Sequence, residues 1–142
     1  MGPVGCAVED APLQQAATAL PAVLDPLMQR LEFSAALEAI MRVVTSANQY
    51  IETVAPWKLA KEPEQVKRLH SVLAVLAEVM RIIAITLEPF MPSVASEIWE
   101  QLGCGAAPRR LQDAAAWPRL PSGQPLGPHP VLFPRNESTK LP

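Results

Sequence analysis

The sequence predicts an all-α helix bundle that ends in an extended C-terminal arm, and three observations support this. Glycine is absent between Gly5 and Gly103, while half of the 16 prolines lie at or after Pro108, so helix-breaking residues are concentrated in the tail. Upstream of that boundary, apolar residues recur at alternating three- and four-residue spacings, the period of amphipathic helices. Pro56, Pro89 and Pro92 separate the periodic stretches, leaving short turns of the kind that join helices into an up-down bundle. The chain divides accordingly into a disordered start over residues 1–8, a helical domain over residues 9–103 and a proline-rich arm over residues 104–142. A length of 142 residues suffices for one ordinary core. The absence of any repeat of about 20–50 residues argues against a solenoid.

The first helical stretch, about Glu9–Leu31, carries Leu13, Leu20, Leu24, Leu27, Met28 and Leu31. Pro21 and Pro26 interrupt it, and each removes an i→i−4 hydrogen bond, which predicts a kink or two short helices. The second, about Ser34–Val54, places Leu37, Ile40, Met41, Val44, Ala47, Asn48 and Ile51 on one face, with Ser34 as N-cap. It stops where Pro56 pushes Ala55 out of the α region. The third, about Glu64–Leu87, has a main stripe of Val66, Leu69, Leu73, Leu76, Met80, Ile83 and Leu87. Beside it runs a second stripe of Val72, Val75, Val79 and Ile82, so the buried arc is wide and this helix is expected at the centre of the bundle. The fourth, about Ser93–Leu102, presents Val94, Ile98, Trp99 and Leu102, with Ser93 as N-cap and Gly103 as the left-handed residue past its end. The arm has few apolar anchors: Leu111, Trp117, Leu120, Leu126 and Val131-Leu132-Phe133.

Several function classes are disfavoured. The strings HExxH, GxSxG, GxGxxG and the P-loop do not occur, and His70 and His129 lie far apart, so neither a metal nor a cofactor nor a catalytic centre is expected. Cys6 and Cys104 form neither a disulfide framework nor a CxxC pair and read as free thiols. Lys67, Arg68, His70, Glu78 and Arg81 interrupt the apolar runs short of the roughly 20 residues a bilayer requires. Without an N-terminal signal pattern, the chain reads as cytoplasmic.

The chemistry is concentrated where Pro56 cuts the chain and Trp57 follows at a corner between helices. An indole at such a corner, with Lys58 and Lys61 beside it, has what stacking on an unpaired base needs: a flat π-face and cations for the flanking phosphates. Equally, a corner tryptophan can plug the end of a bundle, and lysines can be solvated surface. Net charge of −2 is not the basic footprint of most nucleic-acid binders, although Lys58, Lys61, Lys67 and Arg68 set against Glu62 and Glu64 leave a local positive excess.

The string Phe33-Ser34-Ala35-Ala36-Leu37, then Asn48-Gln49-Tyr50, then Ala55-Pro56-Trp57-Lys58-Leu59-Ala60-Lys61 resembles the anticodon-binding domain of methionyl-tRNA synthetases. Leu87-Glu88-Pro89-Phe90-Met91-Pro92, Ile98-Trp99 and Leu102-Gly103 resemble it too, as does the tail, in which Trp117 is followed by Leu132-Phe133-Pro134-Arg135. The resemblance covers about residues 30–137. It implies the anticodon-binding helix bundle of class I aminoacyl-tRNA synthetases, with the CAU anticodon loop of methionine tRNA as partner. Carried over, it makes Trp57 the stacking platform, and Lys58 and Lys61 become candidates for phosphate contacts. Asn48 also matches a family position; on a buried face it is expected to satisfy hydrogen bonds within the bundle. Neither a HIGH-like nor a KMSKS-like motif occurs in these residues. The chain alone is therefore expected to lack methionine activation, which a catalytic domain in cis or in trans would supply. Two alternatives are the helical domain of another class I synthetase and a helical protein-interaction module without nucleic acid.

Overall fold

Leu13, Ala17, Leu20 and Leu24 recur every three or four residues and are all buried, which draws α1 (Ala11–Gln29) along α2 (Phe33–Val54). The computed structural model describes residues 10–104, 111–115, 117 and 120. The remaining elements are the single turn α3 (Pro56–Leu59), a 3₁₀ turn at Pro63–Gln65, α4 (Val66–Leu87), α5 (Pro92–Gln101) and a 3₁₀ turn at Leu111–Ala115. Helix α4 touches every other helix and both 3₁₀ turns, and it is the centre of the bundle as expected.

Sequence and structure differ on which faces turn inward. Helix α1 is continuous through Pro21 and Pro26, where two short helices were an option. Pro21 is itself buried, so its ring packs in the core and offsets the hydrogen bond it removes. On α2 the buried set is Ala36, Ala39, Ile40, Val43, Ala47 and Tyr50, rotated about one residue from the expected face. Met41 is 47% exposed and Asn48 is exposed, so Asn48 does not serve as a buried hydrogen-bonding residue. Small alanines allow α1 to approach closely, and that contact outweighs the burial of larger side chains one position on. On α4 the second stripe is the more deeply buried: Val72, Val75, Val79 and Ile82 are each 0% exposed, whereas in the main stripe Ile83 and Leu87 are buried but Val66, Leu73 and Met80 remain 43%, 42% and 36% exposed.

Ser34 and Ser93 lie inside their helices, and neither α2 nor α5 has a side-chain cap; the flanking residues are Glu32 and Met91. Pro92, with its preset φ and no N–H to satisfy, starts α5 instead. At the other end Gly103 has φ 73°, and its N–H donates to Glu100 O while the Cys104 N–H donates to Trp99 O, a full Schellman closure that matches expectation.

The stretch Pro63–Leu87 is long and apolar enough by composition to cross a membrane, contrary to the reading that its charges cut it short. Most of that window is buried against the bundle, as in the core helix of a folded domain. Midway along it, Glu78 and Arg81 are 1% and 2% exposed and pair at 2.9 Å. The pair also holds the start of the arm: Arg81 Nη1 donates to Asp113 O at 2.9 Å, and the Leu120 N–H donates to Glu78 Oε1. Ala114 is 0% exposed and Trp117 packs against the core, so this part of the arm is docked. The expectations for residues 1–8, Cys6, Leu126, His129 and the Leu132-Phe133-Pro134-Arg135 segment lie outside the described residues. Cys104 is a free thiol, and burial pushes its pKa up from the ordinary value. His70 is exposed.

Candidate nucleic-acid interface

The corner that carries Trp57 is built by two consecutive residues. Pro56 disfavours the right-handed α region for the residue before it, and Ala55 takes the left-handed region instead, at φ 50° and ψ 67°. A non-glycine residue there costs on the order of 1 kcal/mol, and Ala55 is held by burial and by its N–H, which donates to Ile51 O at 2.9 Å. The chain then turns through α3, closed by hydrogen bonds from Lys58 N–H to Ala55 O and from Ala60 N–H to Pro56 O, both 2.9 Å. Positions 57 and 59 lie about 200° apart on a helix, so one faces in when the other faces out. Leu59 packs against the core, and Trp57 is 51% exposed. By contrast Trp99 on α5 is 5% exposed.

Lys58 and Lys61 are exposed on the same turn and the residues just after it. Glu62, Glu64 and Lys67 are exposed as well. Arg68, counted above with the local positive charges, is turned inward: its Nη2 lies 2.9 Å from Asp10 Oδ1. The surface charge at the corner is therefore three lysines against two glutamates, a weaker positive patch than the sequence suggested. Among the described residues no group of three or more His, Cys, Asp or Glu could hold a metal ion.

Sequence reasoning singled out Trp57, Lys58 and Lys61, and the structure brings all three to one corner at the surface. It missed Asp10, Tyr50 and Arg68 as a group. Their pairing spans 40 and 58 positions, and neither composition nor helical period signals contacts of that range. At the far end of α4, a cleft of about 390 Å³ is lined by Leu24, Met28, Ile85, Thr86, Glu88, Pro89 and Phe90. It is mostly apolar and separated from Trp57 by the length of α4.

Comparison with known proteins gives a consistent result. Residues 22–126 match the family described as the anticodon-binding domain of tRNA ligase. The chain is 40% identical over 116 residues to a methionine–tRNA ligase of Streptomyces coelicolor, covering 77% of this chain and 22% of that protein. It is 39% identical over 125 residues to the methionine–tRNA ligase of Deinococcus radiodurans, covering 88% of this chain and 18% of that one. The apo crystal structure of Mycobacterium tuberculosis methionyl-tRNA synthetase superposes with a TM-score of 0.84 at 33% identity, over 96% of this chain and 27% of that chain. The chain thus spans about a fifth of the length of the curated relatives it matches. With a matching helical architecture and a matching sequence over most of its length, the chain belongs to the anticodon-binding domain family of tRNA ligases, in its methionyl-tRNA synthetase branch.

Proposed function

We propose that this chain binds the CAU anticodon loop of methionine tRNA, with Trp57 as the platform on which an unpaired base stacks and Lys58 and Lys61 as contacts to the flanking phosphates. The observation that carries this reading is the exposure of Trp57, 51%, on a corner whose backbone is fixed by a left-handed Ala55 and by Pro56. An exposed indole on a fixed turn loses little entropy on stacking, and each base–aromatic stack contributes about 1–3 kcal/mol. Two lysine–phosphate contacts would add affinity that falls with salt, with a slope of about −0.7 per contact on a single strand. Activation of methionine and its transfer to tRNA belong, in this proposal, to a catalytic domain in cis or in trans, in the cytoplasm. No residue of this chain is assigned to that chemistry.

The test is a titration of the 142-residue chain with a hairpin whose loop contains CAU, at low ionic strength and again at raised salt. The expected outcome is saturable binding that weakens as salt rises and is reduced when the three loop bases are replaced. Absence of binding at low salt, or equal affinity for any loop, counts against the proposal. A second reading, a surface for another protein segment, is favoured by the exposed stripe Val66, Leu73 and Met80 on α4. Changing those three to polar residues should leave hairpin binding intact; loss of it with the fold intact would place the hairpin on α4 and count against the Trp57 corner.

A further inference from the structure

Asp10 sits just ahead of α1 with 0% exposure, and a buried carboxylate is tolerated only when it is well partnered. Tyr50 Oη donates to its Oδ1 at 2.6 Å. Arg68 binds it in a fork, Nη1 to Oδ2 and Nη2 to Oδ1, both at 2.9 Å. The two partners come from different helices, Tyr50 near the end of α2 and Arg68 in the first turn of α4. Between them in sequence lies the whole segment that carries Trp57, Lys58 and Lys61. That segment therefore leaves one buried carboxylate and returns to it.

The segment's own turn is fixed locally by Ala55 and Pro56, but few of its side chains anchor it to the bundle. Helix α3 is a single turn with no buried residue, and one turn of helix does not stand alone in water. Val54, Leu59 and the buried Ala55 are its inward contacts with the bundle. Ala55 and Pro56 set the local turn, and the direction in which that turn faces depends on where its ends are held; Tyr50 and Arg68, the residues just outside those ends, both bind Asp10. An ion pair with bidentate geometry, reinforced by a phenol hydrogen bond, restricts orientation as well as distance. We infer that Asp10, Tyr50 and Arg68 are positioning residues for base recognition, holding the 51–67 segment so that Trp57 meets a base in one orientation. This rests on the reading of Trp57 as a stacking platform.

Tyr50→Phe is the least disruptive probe, since it keeps the ring and removes only the hydroxyl; Arg68→Lys keeps the charge and removes the fork. Each variant of the 142-residue chain is titrated with the CAU-loop hairpin well below its melting temperature, alone and combined with Trp57→Ala. The three tryptophans are labelled with 5-fluorotryptophan, and the Trp57 resonance is assigned from Trp57→Phe. Tyr50→Phe is expected to weaken binding per folded molecule about threefold to tenfold, the coupling typical of residues in one network, and to shift the Trp57 resonance while leaving that of Trp99 in place. In the Trp57→Ala background the same change should have no further effect on binding. A purely structural network would lower the melting temperature and leave both binding and the Trp57 resonance unchanged, which would overturn the inference. An undiminished effect of Tyr50→Phe in the Trp57→Ala background would overturn it too. If Trp57→Ala alone binds like the parent chain, the platform reading itself fails, and that outcome is visible before the network variants are considered.

Discussion

Two corners of this bundle begin with the same pair of residue types, a proline followed at once by an aromatic ring, and put the ring to opposite uses. At Pro89-Phe90, between α4 and α5, the ring folds back: Phe90 is partly buried against the core and meets Phe33 edge-on, with centroids 6.5 Å apart and planes at 78°. At Pro56-Trp57, the first two residues of α3, the ring stands out, and Leu59 is the residue that turns inward. The difference arises in the backbone before the ring. Ala55 enters the left-handed region and reverses the chain ahead of Pro56, whereas Glu88 ahead of Pro89 stays right-handed at φ −53°, ψ −43°, so the helix direction is kept for another step. A proline–aromatic pair marks a corner; the conformation of the preceding residue decides whether the ring is buried or displayed.

Substitutions on α4 and at the two corners sharpen this contrast. The largest effect is expected midway, where Glu78→Ala leaves Arg81 buried without its charge partner; chemical denaturation should register a loss of about 3–5 kcal/mol. That change should also release the arm, whose Leu120 N–H loses its acceptor, and hydrogen exchange at the Leu120 amide would report the faster opening. Next in size, Phe90→Ala should cost about 1–3 kcal/mol of stability, less than for a fully buried ring, while hairpin affinity per folded molecule is unchanged. If Phe90→Ala instead lowered affinity with stability intact, the two corners would not differ as described.

Smaller effects are expected at the displayed corner. Lys58→Ala and Lys61→Ala should each change stability by only a few tenths of a kcal/mol and flatten the salt dependence of hairpin binding by about 0.7 in log–log slope. A slope equal to that of the parent chain would remove the lysine in question from the interface. The pH dependence is smaller still near neutrality. Burial first, and then the hydrogen bond to Asp10 and its charge, hold the Tyr50 phenol above its ordinary value. An acid whose pKa is raised on folding contributes stability that is complete below its unfolded value, about 10 for tyrosine, and lost as pH rises beyond it. Denaturation midpoints should therefore fall more steeply above about pH 10 in the parent chain than in Tyr50→Phe. Parallel curves would mean that the phenol is not coupled to folding.

How far the sequence foretold this can be followed residue by residue. Proline and glycine act locally, so Pro56, Pro92 and Gly103 marked their corners correctly, and the order of the helices followed. Faces were harder. On α2, ranking residues by size favoured Met41 over Ala36 and Ala39, but close helix approach rewards small side chains. On α4, two apolar stripes competed, and the β-branched one went inward while Leu73 and Met80 stayed half-exposed, a choice that depends on neighbours and not on period. Serine caps failed at Ser34 and Ser93 because a favourable residue type near a helix start does not fix which residue flanks it. At the corner, the surface placement of Trp57, Lys58 and Lys61 was legible through punctuation, because Pro56 ends α2 just ahead of them. The Asp10 cluster was not, because Asp10 looks like any acid beside a helix start until α2 and α4 bring Tyr50 and Arg68 to it.

The central claim is that the indole at residue 57 serves recognition and not packing, and truncating it to alanine separates the two most directly. Thermal melts and CAU-hairpin titrations of the parent chain and Trp57→Ala are read side by side at low ionic strength. The account predicts a nearly unchanged melting temperature, as befits a side chain 51% exposed, and affinity weaker by about tenfold to a hundredfold, equivalent to the loss of one base stack. A large fall in melting temperature with unchanged affinity per folded molecule would contradict it and return Trp57 to the core.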